Sequence, residues 1–345
     1  MNNSTPVSYD ALLVVSFGGP EGPDDVMPFL DNVLRGRGVP EERKKEVAHH
    51  YYDFDGVSPI NEQNRALIAA LEEELQANGV DLPVYFGNRN WHPLLTDTMQ
   101  QMKDDGVKSA LAFMTSGYSC YSGCRQYRED VQRSRDVLGD GAPVVDKVRV
   151  FYNHPDWVEV NRLRVAEALD EIPIDQQSDT LILFTAHSLP QAMADSSRYV
   201  EQLEEACQLV ADLLGDFHWR LVYQSRSGSP HQPWLEPDVC DVLESVSEEG
   251  VENVVISPIG FISDHMEVIY DLDTEARECC DRLGVNMVRA KTAGTHPLFV
   301  SMIRELIEER MGLRPERRAI GQYGPSHDVC PEMCCGSGRQ PPTKS

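Results

Sequence analysis

Eight short apolar runs, separated by stretches with helical periodicity, fill the chain between Tyr9 and Met311 and restrict it to one class of fold. They cover residues 11–17, 83–86, 109–113, 147–151, 180–185, 219–223, 253–256 and 285–290. Most are rich in Val, Ile, Leu and Phe without polar alternation, as strands covered on both faces should be. Between them apolar residues return at helical spacing, as in Leu67, Ile68, Leu71 and Leu75. Strand–helix alternation of this rhythm demands parallel strands joined by right-handed crossovers. A break near residues 153–156 divides the strands four and four. The expected fold is therefore α/β, with two Rossmann-like lobes, each a four-stranded parallel sheet flanked by helices, and a ligand cleft between them at the strands' carboxyl ends. The expected divisions are a disordered N-terminus over 1–8, a first lobe over 9–152, a second over 153–312 and a Cys-rich tail over 313–345.

Charge narrows the partners. Acidic residues number 56 and basic ones 31, a formal net charge of −25. Such a chain is poorly suited to nucleic acid or anionic lipid, both of which need clustered Lys and Arg. No stretch approaches the roughly 20 apolar residues of a membrane helix. The N-terminal residues show no basic cluster followed by an apolar segment, so a cytoplasmic protein is expected. In that compartment the nine cysteines are thiols or metal ligands. The Lys-poor acidic surface also fits a saline cytosol, where screening relieves self-repulsion.

Several motifs can carry chemistry. In Phe184-Thr185-Ala186-His187-Ser188-Leu189-Pro190 a buried strand ends and delivers His187 where α/β folds bind ligands; the plain alternative is a loop histidine satisfied by backbone. Ser257-Pro258-Ile259-Gly260-Phe261 again follows a strand. Beyond it Glu267, Asp271 and Glu275 recur every four residues, a spacing that aligns better in a wide π-turn than in an α-helix. Charge runs are usually solvated faces, but a carboxylate line next to a strand-end histidine also makes a path for a hydrated cation. Gly18-Gly19-Pro20-Glu21-Gly22 lacks G-x-G-x-x-G, and Pro20 removes an amide donor, which excludes dinucleotide binding there. Arg35 and Arg37, with Ser58 and Asn61, offer cations and polar groups to carboxylates. Cys330-x3-Cys334-Cys335 sets three thiols in a segment without a core of its own. With one more thiolate, from Cys120 or Cys124, they would complete a four-cysteine iron–sulfur or zinc site. Cys207, Cys240, Cys279 and Cys280 fall in amphipathic stretches and read as packing.

Taken together, the motifs resemble the ferrochelatases, and most of all the actinobacterial coproporphyrin ferrochelatases. The likeness spans nearly the whole chain. It runs from Ser16-Phe17-Gly-Gly-Pro-Glu through Gly56-Val-Ser58-Pro-Ile-Asn, Tyr85-Phe-Gly-Asn-Arg-Asn-Trp91 and Ser122-Gly-Cys-Arg-Gln-Tyr127 to the His187 and Glu267 motifs. The resemblance implies an enzyme that inserts Fe²⁺ into coproporphyrin III to make coprohaem, with His187 and Glu267 facing the iron. It implies porphyrin contacts at Ser58 and Tyr127, with Arg35 a candidate for a propionate, and Phe17 where some relatives carry Tyr. Asp271 and Glu275 become the iron path. A [2Fe–2S] cluster is expected on Cys330, Cys334, Cys335 and Cys124, with Cys120 the second choice. A monomer is expected, and the downstream coprohaem decarboxylase is a candidate partner. A protoporphyrin IX ferrochelatase is the alternative enzyme. A non-catalytic tetrapyrrole or iron carrier with a sensing tail is the alternative of another class, although a carrier requires neither His187 nor the carboxylate line.

Overall fold

The computed structural model describes residues 7–36, 38–228 and 231–338. Arg37, most of the expected disordered N-terminus (residues 1–6) and the end of the tail (residues 339–345) lie outside the described residues. The first half contains β1 (Ala11–Ser16), α1 (Pro23–Leu34), α2 (Glu41–Tyr52), α3 (Ile60–Ala77), β2 (Val84–Asn88), α4 (Leu95–Asp104), β3 (Ser109–Met114), α5 (Gln126–Leu138) and β4 (Val144–Lys147). The second contains α6 (Pro155–Leu169), β5 (Leu181–His187), α7 (Gln191–Ala194), α8 (Tyr199–Leu214), β6 (Trp219–Gln224), α9 (Val239–Glu248), β7 (Asn253–Ser257), α10 (Met266–Val268), α11 (Arg277–Leu283), β8 (Asn286–Arg289) and α12 (Pro297–Met311). Two π-helical segments, Tyr121–Arg125 and Ile269–Ala276, interrupt this pattern.

The strands form two four-stranded sheets, ordered β2-β1-β3-β4 and β6-β5-β7-β8. Every pairing is parallel. Residues 11–16 of β1 and 181–186 of β5 are buried without alternation, as central strands between two helical layers must be. In each sheet the order reverses beside the first strand, so the crevices open at the ends of β1 and β3 and of β5 and β7. The sequence thus yields the expected two-sheet α/β fold.

One strand differs. The apolar run at 147–151 reads as a strand, yet β4 is Val144–Lys147, with an exposed Val144 at the sheet edge. Past Lys147 only Val148 keeps a ladder-like bond, its amide to the Ala112 carbonyl at 3.0 Å. Phe151 leaves the sheet to join Phe113, Trp157 and Phe299, with ring centroids 5.4–5.7 Å apart along the chain Phe113–Phe151–Trp157 and 5.6 Å between Trp157 and Phe299. The run is hydrophobic because it enters the core, and not because it pairs. Phe113 comes from the first sheet and Phe299 from α12, so a continuous core spans both halves. Truncating Phe299, fully buried there, to Ala would cost about 3–5 kcal/mol.

Further contacts fix the two sheets relative to each other. α12 packs on α3, where Arg304 Nε meets Glu74 Oε1 at 2.7 Å. The Tyr118 hydroxyl donates to the Ile259 carbonyl at 3.1 Å, and Gln63 Oε1 accepts the Asp264 amide at 2.8 Å. The α6 and α12 starts share one device: a Pro at the first helical position, preceded by a histidine (His154, His296) whose Nδ1 accepts the second amide.

Candidate active site at the strand ends

His187 ends β5, the strand between β6 and β7. The loop behind it is locked: the Ser188 amide donates to the Gln224 carbonyl at 2.8 Å, Ser188 Oγ to the Leu235 carbonyl at 2.8 Å, and the Tyr199 hydroxyl to the His187 carbonyl at 3.1 Å. Gly260 passes directly beneath. Its amide donates to the Thr185 carbonyl at 3.0 Å, and a Cβ there would sit 2.8 Å from Ala186 Cα. Only glycine fits that approach.

The imidazole has two polar neighbours. Nδ1 faces the Ser188 carbonyl, and Nε2 lies 3.5 Å from Glu267 Oε2. In neutral His187 the proton belongs on Nδ1, which leaves the Nε2 lone pair against a carboxylate. Burial favours that neutral form. The Glu267 charge and hydrogen bond, the Ser188 carbonyl and Asp271 outweigh burial, so the His187 pKa is raised.

Glu267 starts the carboxylate line. Asp271 and Glu275 follow in the π-helical segment, whose wider turn brings residues four apart toward one face, as the spacing predicts. Burial, reinforced by Glu267 and Glu275, pushes Asp271 up to about 7, while a hydrogen bond from the Ser225 hydroxyl opposes it. Glu275 is also raised, first by burial and then by Asp238 and Glu278. Asp273, one step away, is neutralised by Arg289 at 2.5 Å. Asp271 and Glu275 form no ion pair among the described residues. A solvated salt-bridge face would look like Asp273. Asp271 is half-buried and Glu275 exposed, and a line of carboxylates without a paired cation instead suits a metal ion that arrives from solvent.

Facing this line is an apolar wall made mostly by α1 and α2. Val26, Phe29, Leu30, Ala48 and Tyr51 pack with Met266, and Phe17, Trp91 and Tyr270 border them. His50 stacks on Tyr270 with centroids 3.7 Å apart. Tyr51, not singled out from the sequence, has a phenol raised by burial and by the Glu267 and Asp271 charges, which places it near the carboxylates. Its signal was an aromatic–histidine run on an otherwise polar helix. Phe17 and Tyr127 are joined through Arg89, whose guanidinium lies 5.7 and 4.6 Å from their ring centroids and pairs with Asp130. Tyr127 is buried. Ser58 is also buried, hard against Gly19, where a Cβ would lie 2.7 Å from its own. Arg35 is exposed at the end of α1 and donates to Asn32 Oδ1 at 2.5 Å.

The cysteines separate into two groups. Cys120 accepts the Gly123 amide at 3.1 Å and closes its own loop. Cys124, on the π-turn, is near enough to Cys330 and Cys335 for their thiols to perturb its own, and Cys334 Sγ lies 3.4 Å from Cys335 Sγ. Four sulfurs from two distant segments therefore converge, with Lys147 and Arg128 as nearby cations. That donor set fits an iron–sulfur cluster or zinc. Cys207, Cys279 and Cys280 are buried in helix packing.

The tail is tied down along its length. Arg318 bridges Asp156 and Glu305, each at 2.8 Å, and Arg198 lies 4.0 Å over the Tyr323 ring. Ser196 Oγ donates to the Gly336 carbonyl at 2.6 Å. A cavity of about 600 Å³ remains between the tail and the start of α8, away from His187 and Glu267.

Comparison with known proteins decides the family: the Ferrochelatase family model matches residues 9–311. The chain belongs to the ferrochelatase family. Among ferrochelatases it is 57% identical to a protein named Ferrochelatase from Rhodopirellula baltica, over 97% of this chain and 95% of the relative. It is 50% identical to the Coproporphyrin III ferrochelatase of Streptomyces griseus, over 96% and 94%. Among solved structures, SirB from Bacillus subtilis with Fe³⁺ superposes with a TM-score of 0.53, over 88% of this chain and 98% of SirB, at 12% identity. That likeness carries the fold alone. No helix among the described residues of this ferrochelatase is long and apolar enough to cross a membrane.

Proposed function

We propose that this ferrochelatase inserts Fe²⁺ into coproporphyrin III, forming coprohaem in haem synthesis. Relatives named coproporphyrin III ferrochelatase, at 45–50% identity over nearly the whole chain, support the substrate. The observation that carries the chemistry is the line Glu267, Asp271 and Glu275 leading to His187 Nε2.

Metallation must remove both pyrrole N–H protons as the dication enters, and a flat macrocycle keeps its nitrogen lone pairs in plane. A cleft that buckles the ring exposes a lone pair, at a strain of about 1–5 kcal/mol supplied by binding the rest of the ring. The half-buried Phe17, Trp91 and Tyr270, backed by the buried Phe29 and Tyr51, are the surface we assign to the ring, and Arg35 at the end of α1 the cation for a propionate. Ser58 and Tyr127 are the further porphyrin contacts we assign, and both side chains are buried, Ser58 against Gly19 and Tyr127 against the Arg89 guanidinium. Hydrated Fe²⁺ moves along Glu275 and Asp271 to Glu267, each carboxylate replacing water in turn. Asp271, with a pKa of about 7, releases its proton as the cation arrives. His187 accepts one pyrrole proton on Nε2, and the resulting N–H donates to Glu267; the second pyrrole proton leaves through the Glu267 carboxylate to water. The base strengthened by its neighbour is thereby the group that receives the proton.

We also assign a [2Fe–2S] cluster to Cys124, Cys330, Cys334 and Cys335. When bound, it cross-links the tail to the first sheet, a structural task, since iron insertion involves no net electron transfer. A reducing compartment suits nine unpaired cysteines, and we assign the enzyme to the cytoplasm.

The test is an anaerobic insertion assay with Fe²⁺ and either coproporphyrin III or protoporphyrin IX. Coprohaem should form faster than protohaem by about tenfold or more in kcat/KM, a difference of roughly 1.4 kcal/mol. Faster protohaem formation would reassign the substrate, and tight porphyrin binding without insertion would make the protein a carrier.

A further inference from the structure

The cysteine site has more donors than a four-ligand cluster uses. His327 Nε2 lies 3.8 Å from Cys334 Sγ, and the donor atoms of His327, Cys330 and Cys334 all fall within 4.8 Å of one another. In a tetrahedral site with metal–sulfur bonds of about 2.3 Å, ligand atoms sit about 3.8 Å apart. His327 therefore stands at ligand spacing from Cys334.

The segment that carries the imidazole is also held in place. Arg317 Nη2 donates to the Ser326 carbonyl at 2.7 Å and to Asp328 Oδ1 at 3.1 Å, so it grips the residues on both sides of His327. Arg317 is anchored in turn by Glu309 of α12 at 3.0 Å. The donors divide by depth: Cys124 and Cys335 are buried, Cys330 and Cys334 are half-buried, and His327 is exposed. The inner sulfurs are fixed by the core, and the solvent edge is where a ligand can be exchanged.

We infer that His327 is a second-choice ligand of the tail site, able to take the metal position of Cys334. The inference rests on the cluster assignment above. In the exchange the metal–Sγ bond of Cys334 breaks, its thiolate takes a proton from solvent, and the Nε2 lone pair of neutral His327 forms the new bond. One negative charge is removed from the ligand set, which raises the potential of the bound cluster. The edge of the site then survives loss or oxidation of one of its two more accessible cysteines.

The experiment compares wild type, C334A, H327A and C334A/H327A, each full-length and purified anaerobically. Iron and acid-labile sulfide per chain, visible absorption and pulsed EPR of the reduced protein are the readouts. C334A should keep most of its iron and sulfide, with a changed spectrum and a directly bound ¹⁴N coupling. The double variant should lose them by about tenfold or more, and H327A should match wild type. A C334A protein as empty as the double variant, or one with a cluster but no nitrogen coupling, overturns the inference and leaves the cluster assignment standing. A wild type without iron and sulfide overturns both.

Discussion

His187 Nε2 lies 3.5 Å from Glu267 Oε2 while Nδ1 is engaged by the Ser188 carbonyl, so the ring has one nitrogen committed to the backbone and one turned to the carboxylate. His187→Ala should abolish turnover and leave porphyrin affinity within about tenfold, or roughly 1.4 kcal/mol. Single-turnover kinetics and porphyrin fluorescence titration check the two halves of that statement. Lost binding with intact single-turnover chemistry contradicts the assigned role.

The same pair sets a pH dependence. Glu267 raises the His187 pKa above its ordinary 6.5, and activity needs the neutral ring, so rate climbs as pH passes the raised value. Glu267→Gln removes the charge, the His187 pKa falls, and ring titration followed by NMR should move to lower pH. The sign for stability is opposite in sense. Protonated His187 contributes most below 6.5, and that contribution fades as pH rises through the raised value. Glu267→Gln should flatten that part of the melting curve against pH.

Asp271 answers to a different neighbour. The Ser225 hydroxyl favours its ionised form, so Ser225→Ala should raise its pKa further above about 7. The acidic limb of kcat/KM for Fe²⁺ should then shift to higher pH, opposite to the Glu267→Gln shift of His187. Asp271→Asn should raise KM for Fe²⁺ by about tenfold with porphyrin binding unchanged. An unchanged iron KM would remove Asp271 from the path.

What was legible in the sequence follows from how local the physics is. The two sheets and the end of β5 could be read because unbroken Val/Ile/Leu runs report burial on both faces and the chain must turn where they stop. The π-helical segment could be anticipated because carboxylates four apart drift slowly around an α-helix and line up better in a wider turn. The true β4 could not, since Val148 and Phe151 are apolar on account of Trp157 and Phe299, which arrive from elsewhere in the chain. Nor could Tyr51 or Arg89, whose positions depend on how α2 meets Tyr270 and how two loops meet over Tyr127. Cys120 and Cys124 were equivalent by spacing, and only the direction of each thiol separates them.

Gly260 tests how tightly the histidine is held. A methyl there would meet Ala186 Cα and Cβ at 2.8 Å, with no flexible side chain to give way. Gly260→Ala should cost about 1–3 kcal/mol by overpacking, visible as a lower melting temperature. Because Ala186 precedes His187, kcat should fall in protein that is still folded at the assay temperature. A stable variant with full kcat would show that the β5 end tolerates displacement.

The thiol directions give the last prediction. Cys124 meets Cys330 and Cys335, whereas Cys120 is occupied by the Gly123 amide. Cys124→Ala should therefore strip iron and sulfide from anaerobically purified protein, and it should expose the tail to proteolysis by releasing its link to the first sheet. Cys120→Ala should leave the cluster in place and cost only the local packing and two weak hydrogen bonds, with the Gly123 amide and the Ser122 hydroxyl, about 1–2 kcal/mol. The salt bridges of Arg318 to Asp156 and Glu305 remain in both variants, so cleavage in Cys124→Ala should concentrate beyond Tyr323, in the segment that carries Cys330, Cys334 and Cys335. The reverse pattern, with iron lost from Cys120→Ala and kept in Cys124→Ala, would mean that the π-turn rearranges when metal binds.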